Sequence, residues 1–102
     1  MNLIDRLEDE AHLLRPQPSR GFHQFSFTSG RTNARKRPSI VRRKWLGTYL
    51  VQLEHFEGRN NVVVYDEMSG RDKVVAKRTG LERAEADRVF DLTAQIVREE
   101  IQ

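Results

Sequence analysis

The sequence predicts an α+β fold: a small antiparallel sheet of three or four strands, covered on one face by a C-terminal helix, with an N-terminal helix and a flexible basic arm. Three observations lead there. Short runs of β-type residues separated by turn residues lie between Trp45 and Arg78, and an apolar stripe with helical spacing closes the chain. Charge is also segregated: Arg15 to Lys44 hold nine of the eighteen Lys and Arg residues and no Asp or Glu. That segment therefore carries +9 and the remainder −6, within a net charge of +3. A basic arm on a mildly acidic body points to a polyanionic partner.

A chain of 102 residues can bury one modest core. Hydrophobic content of 37% against charged content of 32% suits a soluble protein with a partly unstructured portion. The expected organisation is a helix and Pro-rich linker over 1–20, a short strand and basic arm over 21–44, and a meander with a closing helix over 45–102. The absence of cysteine excludes disulfides, thiolate metal sites and catalysis through sulfur. The start MNLIDRLEDEAHLL has acids where a signal peptide needs Lys or Arg, and no apolar run approaches a membrane span. A cytoplasmic protein without membrane contact is expected.

In chain order, Leu3, Ile4, Leu7, Ala11 and Leu14 recur at steps of three and four, which predicts an amphipathic helix over Asn2 to Leu14. Asn2 is placed to cap it, Asp5 and Glu8 favour its positive end, and Pro16 and Pro18 stop it. Its apolar face packs on its own domain, or on a partner or second copy as a homodimer. Gly21 to Ser29 alternates as a strand would, with Phe22 on one side and Phe25 and Phe27 on the other. Those aromatics serve either the core or, beside a basic arm, stacking on unpaired bases.

The run Arg31 to Lys44 is the sharpest signal. It packs Arg31, Arg35, Lys36, Arg37, Arg42, Arg43 and Lys44 into fourteen residues whose apolar members are only Ala34, Ile40 and Val41. No core can form there, and like charges would repel in a compact state, so an extended arm is expected. Phosphate is its natural counter-charge: arginine outnumbers lysine five to two, and the guanidinium fork matches phosphate oxygens or a guanine edge. Trp45 adjoins the run, either as a core residue at a strand entry or as part of the binding surface.

Trp45 to Glu57 reads as a half-buried strand, with Tyr49, Val51 and Leu53 on one face and Gln52 and Glu54 on the other. Gly58 to Asn61 is turn chemistry, Val62 to Tyr65 a second strand, SGRD another turn, and Lys73 to Arg78 a third strand. Links this short require antiparallel neighbours. Thr79 and Glu82 have capping-box spacing, which starts a helix running to about Ile101. Ala86, Val89, Phe90, Thr93, Ile96, Val97 and Ile101 would lay one stripe across the sheet, with Glu82, Glu85, Asp87, Asp91 and Arg98 in water.

The order helix, strands, helix resembles a double-stranded-RNA-binding domain. The stretch from Trp45 through KRTGLERAEADRVF resembles the sheet and helix of the arm-binding domains of tyrosine recombinases. Neither resemblance extends to contact residues. Leu81, Glu82, Arg83 and Glu85 stand where the first family has phosphate-gripping lysines, and Gln52, Glu54, Asp66 and Glu67 where the second has a basic sheet. The resemblances imply a layout, and the departures from them shift the expected binding to the arm.

No cofactor or catalytic motif is present. His12, His23 and His55 lack helical metal spacing, and Gly58 and Gly70 sit singly in turns rather than in a phosphate loop. A ribonuclease assembled from scattered Arg, His and Tyr is a lesser alternative. The expected function is therefore non-enzymatic nucleic-acid binding, DNA or RNA undecided, through Arg31, Arg35, Lys36, Arg37, Arg42, Arg43, Lys44 and Trp45. A protein of this type would suit a phage or plasmid accessory role. The alternative is an interaction module or inhibitor that docks on a larger nucleic-acid-processing protein.

Overall fold

The computed structural model describes residues 2–15, 38–67 and 73–102. The strand expected from Gly21 to Ser29, the turn SGRD and the site residues Arg31, Arg35, Lys36 and Arg37 lie outside them. The elements are α1 (Leu3–Glu10), β1 (Ser39–Leu46), β2 (Tyr49–Phe56), β3 (Arg59–Asp66), β4 (Lys73–Leu81) and α2 (Arg83–Ile101). The four strands form one antiparallel sheet in the order β1-β2-β3-β4, and both helices pack against it, so the fold is α+β as expected.

Helix α1 is capped as its sequence predicts, Asn2 Oδ1 accepting from the Asp5 N–H at 2.9 Å. It ends at Glu10, earlier than the prolines require. His12 adopts the left-handed region at φ 59°, and the Leu13 N–H turns back to the Leu7 carbonyl at 2.9 Å. That reversal lets Leu13 enter the core and Leu14 exchange backbone hydrogen bonds with Lys77, on the outer edge of β4. Leu3, Leu7, Ala11 and Leu13 all join the core, against α2 and β4. These four residues of the segment are thus buried within the chain.

Two boundaries differ from expectation. The sheet begins at Ser39 rather than Trp45, because Ser39 to Lys44, expected in the basic arm, are strand. Ile40 and Val41 supply β-branched residues, and an edge strand tolerates long cations because their stems lie along it while their charges reach water. The single strand expected from Trp45 to Glu57 is a hairpin, with Gly47 and Thr48 as a two-residue turn between Leu46 and Tyr49. Gly47 has φ +63°, a conformation that glycine adopts readily, and a Cβ there would sit 3.2 Å from Ile101 Cδ1, which would have to shift slightly. The next turn is Glu57 and Gly58, both at positive φ, the combination that fits the twist of a tight hairpin.

Thr79 does not cap the last helix; it lies on β4, and Glu82 takes the cap position without a side-chain hydrogen bond. The stripe on α2 is otherwise as predicted, with Ala86, Val89, Phe90, Thr93, Ile96 and Val97 buried against Val51, Leu53, Val62, Val64 and Ala76 of the sheet. Ile101, expected in that stripe, is exposed beside the Gly47 turn. At roughly 25 cal/mol per Å2 of apolar surface, this layer between α2 and the sheet is the main favourable contribution to folding.

Candidate nucleic-acid interface

Four of the residues expected to bind nucleic acid, Arg42, Arg43, Lys44 and Trp45, stand on β1, at one edge of the sheet. A β-bulge decides which way they face. Ile40 pairs with Glu54 and Arg42 with Leu53, so Val41 is an extra residue, and the alternation beyond it is reversed. Arg42 and Lys44 consequently fall on the α2 side, and Arg43 and Trp45 on the side facing away from it.

Arg42 is held by α2. Its guanidinium donates to Asp87 Oδ1 at 3.3 Å and Asp91 Oδ1 at 3.0 Å, and its centre lies 4.2 Å from the centroid of the Phe90 ring. Asp87 and Asp91 are one turn apart and Phe90 lies between them, so one face of α2 forms a receptacle for this side chain. Arg42 therefore ties the edge strand to the helix, and its guanidinium already meets two carboxylates. Lys44 is exposed at the mouth of the adjoining cleft, which Phe90, Gln95 and Arg98 also line, and it has no acidic partner among the described residues.

On the other side, Arg43 is exposed and donates to Gln52 Oε1 at 3.2 Å. Trp45, two residues along, is 52% exposed, so it is not the core tryptophan that its position at a strand entry suggested. Register places Arg43, Gln52, Val63 and Lys77 in one cross-strand row and Trp45, Leu50, Tyr65 and Val74 in the next. Lys77 and Tyr65 are thus brought to the face that carries Arg43 and Trp45. The order of residues does not show this, because Val74 and Lys77 share a face only through the register shift opposite Val64 and Tyr65.

Two of the sheet's acids, Glu54 and Asp66, do not present their charge on this face. Glu54 is only 8% exposed, and its carboxylate accepts from the Gln52 amide at 2.6 Å and the Tyr65 hydroxyl at 2.8 Å. Asp66 pairs in register with Tyr49, on the core side. The Tyr49 hydroxyl is pushed above its ordinary range, first by burial and then by the charge of Asp66.

Several acids of the helices are matched internally. Arg6 of α1 binds Glu10, Glu99 and Glu100 at 2.8, 2.9 and 3.1 Å, and Arg78 binds Glu85 at 2.9 Å. The Gln95 amide and Arg6 hold the Glu99 carboxyl below the usual carboxylate range, and these carboxylates in turn raise the Arg6 guanidinium. His12 and His55 are exposed, and no group of three His, Cys, Asp or Glu able to hold a metal occurs among the described residues. No helix among those residues is long and apolar enough to cross a membrane. Comparison with protein-family models, with curated proteins and with solved structures finds no match.

Proposed function

We propose that this protein binds nucleic acid through phosphate contacts made by its acid-free basic run, with the sheet and α2 as the platform that holds one end of that run. The observation that carries this reading is the edge strand β1. There Arg43 and Lys44 stand exposed, with no acidic partner among the described residues, beside a half-exposed Trp45, while the nearby acids Asp87 and Asp91 are already taken by Arg42. A strand edge with free cations on both sides can follow a phosphate backbone without neutralising itself.

Docking of the acidic body on a basic protein groove has less support. Glu10, Glu85, Asp87, Asp91, Glu99 and Glu100 pair with the chain's own arginines, and Glu54 is sequestered. Binding of labelled DNA and RNA should weaken steeply with salt. About five neutralised phosphates give a slope of log K against log salt of roughly −4. The double substitution Arg43→Glu with Lys44→Glu should lower affinity for every sequence alike. A flat salt response, or a protein partner that survives nuclease treatment with no direct binding, would reject the reading.

A further inference from the structure

Given that nucleic acid is the ligand, we infer that its unpaired form is preferred, and that the sheet face turned away from α2 is where bases are received. On that face the register sets Trp45 and Tyr65 in one cross-strand row and Arg43 and Lys77 in the neighbouring row. Strands lie about 4.8 Å apart and alternate residues about 7 Å apart along a strand. The backbones of the two aromatic positions are therefore roughly 10 Å apart and those of the two cations roughly 14 Å.

That spacing suits an unpaired strand and not a duplex. A ring on a sheet can stack only on a base whose face is free, and in a duplex those faces are covered by neighbouring pairs. Trp45 has 52% of its surface available for this, and Arg43 beside it is exposed. Lys77 is exposed and has no acidic partner among the described residues. Glu54, on this face, is covered and hydrogen-bonded, so its own charge does not meet phosphate there. Tyr65 is partly buried, with its hydroxyl on Glu54, so its ring is fixed in place as the second and lesser platform. Charge complementarity and exposed aromatic area thus select the same occupant.

Trp45 is the only tryptophan in the chain, so its fluorescence reports this face alone. The full chain is titrated at fixed salt with a single-stranded oligonucleotide and with a hairpin duplex of equal charge, each as DNA and as RNA. The expected result is at least tenfold tighter binding of the unpaired strands, with quenching of Trp45 that saturates at the binding stoichiometry. Stacking is worth about 1–3 kcal/mol per base, so Trp45→Ala should weaken single-strand binding about 5- to 150-fold and leave duplex binding unchanged. Trp45→Phe, which keeps a ring, should recover part of the loss and guards against misfolding of the alanine variant. Lys77→Ala should make the single-strand salt slope shallower by about 0.7. Equal or tighter binding of duplex, or binding without a Trp45 signal, overturns this inference and leaves the phosphate reading standing. Absence of binding to all four probes overturns both. A difference between the DNA and RNA arms identifies which sugar the face accepts.

Discussion

Replacing Arg42 by alanine separates a structural arginine from its phosphate-facing neighbours. Its ion pairs to Asp87 and Asp91 are partly exposed, the arginine side chain retaining 38% of its surface and the two acids 39% and 67%. Screening at that exposure limits each pair to about 0.2–1 kcal/mol. The contact with Phe90 adds about 0.5–1 kcal/mol. Losing all three should cost about 1–2 kcal/mol, which for a domain of this size lowers Tm by roughly 5–15 °C. Because Arg42 already has its counter-charges, the salt slope for nucleic acid should not change. Lys44→Ala, one position from the same cleft edge, should do the reverse: stability within about 0.5 kcal/mol of the parent and a slope shallower by about 0.7–0.9. Thermal unfolding followed by circular dichroism, together with anisotropy titrations at four or five salt concentrations, measures both quantities. An Arg42→Ala protein with unchanged Tm and a shallower slope would show that Arg42 leaves Asp87 and Asp91 for phosphate, and the assignment of roles along β1 would be wrong.

Two further outcomes test the fold. Leu7→Ala should lower stability by about 2–5 kcal/mol in chemical denaturation, since Leu7 is wholly buried between α1 and the rest of the core. By the same reasoning, deletion of residues 1–38 should abolish cooperative folding, and a truncated chain that melts cooperatively would place α1 outside the core. In alkaline spectrophotometric titration, Tyr49 should deprotonate above its ordinary value of 10.0 because burial and then Asp66 disfavour its anion. The fold thus favours the neutral hydroxyl. The stability it contributes is full below that value and is lost as pH rises through the higher folded pKa. Asp66→Asn should bring the transition part of the way back, leaving the larger effect of burial, and a Tyr49 that ionises as in the unfolded chain would contradict its placement.

The amino-acid sequence alone determined the α+β class, the capped first helix, the β2 and β3 strands and nearly all of the buried stripe on α2. These follow from local periodicity and turn chemistry, and a side chain at helical or alternate spacing has only one way to reach a common core. It also located the charge asymmetry, since charge along a chain needs no fold to be counted. Where the run of Arg and Lys joins the fold was not legible. Ile40 and Val41 look like dilution within a basic arm until β2 supplies the hydrogen-bonding partner that makes them strand. The tertiary structure likewise divided Arg42 from Arg43, adjacent residues of one type, by a single bulged residue that turned one towards Asp87 and Asp91 and the other towards Gln52. Pairing register also carried Tyr65 and Lys77 to the face of Trp45, and it placed Glu54 beneath hydrogen bonds where its charge no longer governs the surface. Register is a property of strands in pairs, and residues far apart in sequence meet only when the pairing is made.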